Sequence, residues 1–187
     1  DTIGGFNSLI NKQKKQDGEV LVSTVLFNDS SVVIHDRKPI DEVRLMTNKD
    51  YVVYGCTALL DALGSSIRHI GNIHKYARVE DVPEHTMFVI ITDGMENASR
   101  YYSKERVKSM IEYEKEKYGW EFLFLAANMD AIDTASQYGI DKDHAVNYQC
   151  DSVGTRLNYE VLDEAIQCIC SGVPLSKSWK SKIEKCK

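Results

Sequence analysis

The sequence predicts an α/β fold: a doubly wound, mostly parallel sheet covered by helices on both faces, with one antiparallel edge hairpin. Three observations carry that prediction. Residues 86–91 and 120–127 are apolar runs of strand length, closed by Thr92-Asp93-Gly94 and by Asn128-Met129-Asp130. Continuous apolarity over so few residues describes a parallel strand buried on both faces. Stretches with a single apolar stripe at helical spacing separate the runs, and a pair of β-branched segments precedes them.

Taken in order, Ile3, Phe6, Leu9 and Ile10 mark one face of an opening helix that ends in the polar stretch 11–18. Residues 19–27 and 31–35 flank Asn28-Asp29-Ser30 as a hairpin. Residues 36–54 mix charge, Pro39 and isolated hydrophobes, as a surface connection does. From Thr57 a helix follows, with Leu59, Leu60, Leu63, Ile67 and Ile70 on its stripe and Asp61, Arg68 and Lys75 off it. After the first apolar run, Ser103 is placed to cap a helix whose inner side is Val107, Met110 and Ile111, and Gly119 to end it. Beyond the second run come a short helix at 132–138, a short strand at 145–148 and a last helix at 152–170. Val153, Leu157, Val161, Ala165, Ile166 and Ile169 form the inner face of that last helix.

Residues 1–172 therefore read as one domain, and 173–187 as a basic, solvated tail. The 187-residue chain has a formal net charge of −5; the tail holds five Lys and one Glu, so the body carries −9. An acidic body is ill suited to the phosphate backbone, so nucleic acid is not an expected partner. No uncharged apolar run approaches the ~18 residues of a membrane span, so no membrane contact is expected either. Cys56, Cys150, Cys168, Cys170 and Cys186 are odd in number and irregularly spaced. Reduced thiols and a cytoplasmic location follow from that pattern. Cys168 and Cys170 fall inside a helical pattern with a spacer too short for a zinc knuckle.

In such sheets ligands gather at the carboxyl ends of strands. Two segments stand out there: Gly55-Cys56-Thr57-Ala58-Leu59-Leu60-Asp61, and Ile90-Ile91-Thr92-Asp93-Gly94. Their order, flanking apolar patterns and one-helix separation resemble the second and third metal motifs of the von Willebrand factor A (vWA) domain, in particular a bacterial-type stand-alone module. The resemblance covers most of residues 1–172. It implies a Rossmann-like fold with a metal-ion-dependent adhesion site, in which Thr57 offers a hydroxyl and Asp93 a carboxylate to Mg²⁺, or to Mn²⁺ or Ca²⁺. It also implies a protein partner that presents an acidic side chain to the ion.

The family's first motif, Asp-x-Ser-x-Ser, occurs nowhere in these 187 residues, and residues 1–10 look like the helix that follows it. The resemblance thus implies a domain lacking a central strand, with an incomplete metal site and a sheet edge open to self-association or strand exchange. Two protein oxygens are few for a cation that takes about six. The structural alternatives are Thr57 as a helix cap and Asp93 as the start of an Asx turn. Met95, Glu96, Arg100, Tyr101 and Tyr102 lie beside Asp93 as a candidate partner-contacting rim, since aromatics and Arg are favoured in contact surfaces. Asn97, Asn128, Asp130 and Asp133 read as structural.

Enzyme templates fit poorly. The sequence contains no His-Glu-x-x-His, Gly-x-Ser-x-Gly, Walker loop or Gly-x-Gly-x-x-Gly. A non-catalytic interaction module is the primary expectation. The alternative is a metal-assisted hydrolase or phosphoryl-transfer enzyme using Asp93, which would need a second acid/base group near the ion.

Overall fold

The computed structural model describes residues 2–51, 55–173, 175–176 and 178–184. Its elements run α1 (Thr2–Gln13), β1 (Leu21–Phe27), β2 (Ser31–Pro39), α2 (Leu59–Tyr76), β3 (Met87–Thr92), α3 (Lys104–Tyr118), β4 (Glu121–Ala126), α4 (Ala131–Gln137), β5 (Ala145–Asn147), α5 (Ser152–Cys170) and α6 (Ser181–Glu184). The chain is α/β, with a two-stranded hairpin β1-β2 and a three-stranded parallel sheet in the order β3-β4-β5. Two compact units divide it. One comprises Phe27–Ser31 and Gly55–Asn147; the other comprises Asp1–Leu26, Val32–Tyr54 and Tyr148–Lys187. Cys186, Lys177, Lys185, Lys187 and residues 52–54 lie outside the described residues.

The parallel sheet organises its unit. β4 is the middle strand, and Phe122, Leu123, Phe124, Leu125 and Ala126 are buried along it. Phe122, Phe124 and Ala126 share a core with Leu59, Leu60, Leu63 and Ile67 of α2 and with Val107 and Ile111 of α3. Phe88 stacks on Phe122 at 5.2 Å and on Trp120 at 5.4 Å, so the amino end of the sheet is an aromatic layer. α3 begins and ends on local signals. The Ser103 hydroxyl accepts from the Arg106 N–H, and Gly119 closes the helix in the left-handed region, φ 67°, where a glycine carries no Cβ penalty.

In the other unit α1 packs on α5. Gln13 Nε2 donates to Asp163 Oδ1 at 2.8 Å, and Lys12 stands 3.6 Å from the same carboxylate. Three sequence readings are corrected here. β2 continues to Pro39, with Arg37 at φ 46° and its N–H donating to Ser23 Oγ. Edge strands carry such charges, prolines and kinks, and the same composition reads as a loop. The connection that follows also buries Ile40, Val43 and Met46, the first two in a cluster with Ile10.

The inner face of α5 is rotated from the one expected. Val153 is exposed, and Gly154, Asn158, Tyr159, Leu162 and Asp163 are buried beside Val161, Ala165 and Ile169. Small and polar residues on that face escape a count of hydrophobes. Finally, residues 178–184 do not trail as a solvated tail, because Trp179, Lys180 and Ile183 are buried and Lys182 pairs with Glu164.

His35 sits buried on β2, its Nδ1 3.0 Å from Thr24 Oγ1 and its ring stacked on Phe6. Burial, and then the positive charge of Arg44, hold its pKa below the ordinary 6.5 despite the opposing charge of Asp50. A lowered folded pKa means that the unfolded chain binds the proton first. The His35 contribution is therefore complete above pH 6.5 and is lost as the pH falls through the folded value. Urea midpoints are expected to rise with pH across that window, and His35→Phe, which keeps the stack on Phe6, to flatten the rise.

Candidate functional site

The site lies at the carboxyl end of β3, within the unit that holds the parallel sheet. Three segments meet there: the hairpin turn, the approach to α2, and the loop between β3 and α3. The Ala58 N–H donates to the Asn28 carbonyl at 2.7 Å, and the Cys56 N–H donates to Asp29 Oδ1, so the hairpin turn seats the approach to α2. Thr57 and Asn97 then bond reciprocally. The Thr57 N–H donates to Asn97 Oδ1 at 2.8 Å, and the Asn97 N–H donates to the Thr57 carbonyl at 3.0 Å.

Thr57 is not the cap of α2. Ala58 occupies that position and contributes no side-chain bond, which leaves the first N–H groups of the helix without a local acceptor. The loop after β3 supplies the acceptors instead. Glu96 Oε2 accepts from the Leu60 N–H at 2.8 Å, and Ser99 Oγ accepts from the Asp61 N–H at 3.0 Å. Glu96 also binds its own loop through the N–H groups of Ala98 and Ser99 and the Ser99 hydroxyl.

Asp61 returns the bond. Its carboxylate accepts from the N–H groups of Arg100, Tyr101 and Tyr102 at 2.7, 2.8 and 2.9 Å. Partial burial pushes the Asp61 carboxyl up, but the three donors and the charge of Arg100 overcome that and hold it below the ordinary 3.8. Helix and loop thus cap each other across 36 to 41 residues of sequence. The charge of Glu96 is felt deeper in the core, where burial first and that charge second push the Tyr138 hydroxyl up to about 12.

The two motif segments come together on this frame. A Cβ on Gly94 would lie 2.7 Å from Thr57 Oγ1, so the Thr57 hydroxyl rests against the α-carbon of the residue after Asp93. Asp93 is exposed, and its carboxylate makes no hydrogen bond to a described residue. Asn128, at φ 59°, donates from Nδ2 to the Asp93 carbonyl at 3.2 Å and steadies the turn from the end of β4. Because only a glycine leaves room for the Thr57 hydroxyl, Gly94→Ala is expected to displace it. The change should cost about 1–3 kcal/mol of stability in urea unfolding, as overpacking does elsewhere.

The rim divides. Met95 and Tyr101 are 67% and 79% exposed, and Arg100 is exposed beside them. Glu96 is committed to capping. Tyr102 is half-buried against Gly64, with the Arg106 guanidinium 5.0 Å over its ring. Asp130 caps α4 by accepting from the Asp133 N–H, and Asp133 accepts from Gln137, so neither carboxylate is held in reserve. Sequence reasoning placed Asp61 at the end of the first motif segment, off the apolar stripe of its helix, and Asp29 in the hairpin turn, and gave neither of them, nor Ser99, a bonding role at the site. The signal available was an acidic residue in the first helical turn, a position that favours backbone N–H donors.

Among the described residues no group of three His, Cys, Asp or Glu side chains is arranged to hold a metal ion. Thr57 and Asp93 offer hard oxygen donors of the kind Mg²⁺ takes, one hydroxyl and one carboxylate, and fall short of a full shell. Compared with known proteins, the chain matches no family model and no curated protein.

Proposed function

We propose that this chain is a non-catalytic protein-interaction module of the vWA type, and that its parallel sheet belongs to a doubly wound fold. Thr57 and Asp93 contribute two oxygens to a divalent cation, Mg²⁺ by preference, and the ion takes a carboxylate from an acidic side chain of a protein partner. The observation that carries the reading is the packing of Thr57 Oγ1 against Gly94. It brings together two motifs that the sequence holds a helix and a strand apart.

A cation with so few anionic ligands stays under-neutralised, and that residual charge attracts a partner's carboxylate. The protein's own part is to hold Thr57 still through Asn97 and the hairpin turn, and to leave Asp93 open. Docking is favoured over hydrolysis or phosphoryl transfer because Glu96, Asp61 and Asp130 are all engaged with backbone N–H groups, which leaves Asp93 without an acid/base companion. We place the module in the cytoplasm. The described cysteines Cys56, Cys150, Cys168 and Cys170 are free thiols, and no described helix is long and apolar enough to cross a membrane.

Mg²⁺ at ten times its Kd is expected to stabilise the fold by about 1.4 kcal/mol, roughly 3–5 °C in Tm. The rise should vanish in Asp93→Ala and persist in Asp133→Ala. Equal responses in wild type and Asp93→Ala would remove the support for this site.

A further inference from the structure

Tyr113 and Lys117 stand one helical turn apart on α3, a spacing that brings two side chains together. The end of the helix adds a third residue. The Gly119 N–H donates to the Lys115 carbonyl and the Trp120 N–H to the Glu114 carbonyl, and this closing turn fixes Tyr118 beside Tyr113. The two rings meet edge-on at 6.0 Å, and the Lys117 ammonium lies 5.1 Å from the centre of the Tyr113 ring and 5.2 Å from that of Tyr118. Lys117 Nζ also donates to the Tyr113 hydroxyl oxygen at 2.7 Å. An exposed contact of this kind adds little to stability. Its effect is on the phenol that it touches.

We propose that Tyr113 is a covalent-modification site of this protein, the phenol that accepts the acyl group of small activated acyl donors, the class to which acyl phosphates belong. A cation hydrogen-bonded to the oxygen favours the phenolate, which is the nucleophile. Hydrogen bonding to Lys117 first and Tyr118 second holds the Tyr113 pKa below the ordinary 10.0, against the charge of Glu114. In the step itself the phenolate oxygen attacks the carbonyl carbon and a C–O bond forms. The bond from that carbon to the leaving group breaks, and the group departs with the electron pair. The phenol proton goes to solvent. Lys117 does not compete for the acyl group, because its bond to Tyr113 raises its own pKa and keeps the nitrogen protonated. Exposure alone points elsewhere: Tyr113 is 50% exposed, whereas Tyr76 and Tyr101 are each 79% exposed. At Tyr76 the neighbouring cation, Lys75, stands over the ring face at 5.4 Å. This proposal is independent of the metal reading.

The test treats the full folded chain with a limiting amount of N-acetylimidazole near neutral pH and locates the acetyl groups by peptide mass spectrometry. Tyr113 is expected to be acetylated ahead of Tyr76 and Tyr101. Lys117→Met should slow Tyr113 by about fivefold or more and leave the other two unchanged, and Lys117→Arg, which keeps a cation there, should restore most of the rate. In concentrated urea the preference for Tyr113 should vanish, because the closing turn of α3 is lost. Asp93→Ala should react as wild type does, which separates a failure here from a failure of the metal site. The proposal is overturned if Tyr76 or Tyr101 reacts first, if Lys117→Met leaves the Tyr113 rate unchanged, or if the preference persists in urea.

Discussion

Phe124→Ala is expected to be the most damaging single truncation, costing about 3–5 kcal/mol, a large share of the stability of a typical domain. Phe124 is fully buried at the middle of β4, opposite Ile90 of β3 and Ala145 of β5, and its ring meets Tyr138 edge-on at 6.0 Å. Removing the ring takes away its transfer free energy and leaves a void between two paired strands that cannot collapse to fill it. Phe124→Leu fills most of that volume and should cost under about 1.5 kcal/mol. Urea unfolding followed by circular dichroism checks both values. A loss below 1 kcal/mol for the alanine variant would mean that the strand is less tightly enclosed than its burial implies.

Asp61→Ala is expected to cost about 2–3 kcal/mol, because hydrogen bonds to a charged acceptor are the strong ones and three backbone donors lose theirs together. The effect should be local as well as global. Hydrogen exchange at Arg100, Tyr101 and Tyr102 is expected to accelerate in the variant, while the amides of Phe122–Ala126 stay slow in conditions where both proteins are folded. Asp61→Asn keeps an acceptor oxygen without the charge and should lose less.

The lowered pKa of Asp61 gives the prediction a pH signature. A carboxylate stabilised in the fold contributes fully above its unfolded value of 3.8, and that contribution disappears as the pH falls through the folded value. The stability gap between wild type and Asp61→Asn should therefore be constant near neutrality and narrow only in acid. A gap that widened in acid would contradict the assignment.

The contrast between these residues shows what a sequence can reveal. Phe124 belongs to an apolar run whose strand character is visible without neighbours, and α3 announces both its ends through Ser103 and Gly119. Asp61 is different. Its partners are backbone amides contributed by a loop after the next strand, and main-chain donors have no side-chain signature. The cap of α2 was hidden for the same reason, since Glu96 and Ser99 reach it from 36 and 38 residues away. The extension of β2 was masked by the charges and proline that protect an edge, and the face of α5 by its buried Gly154 and Asn158. At the proposed site, the sequence marks the two segments that carry Thr57 and Asp93. What could not be read was that the Glu96 and Tyr102 of the expected rim serve the frame, leaving Met95, Arg100 and Tyr101 at the surface.

The proposed site requires that Thr57 and Asp93 share a cation at the carboxyl end of β3. Titrating Mn²⁺ into isotopically labelled protein and following paramagnetic broadening of the amide signals tests it directly, because the effect marks where the ion sits. Thr57, Asp93 and Gly94 are expected to broaden first, Mg²⁺ to compete the effect away, and Asp93→Ala to abolish it. Broadening that starts at other acidic surface residues, or that is unchanged in Asp93→Ala, would place the ion elsewhere and overturn the proposed site.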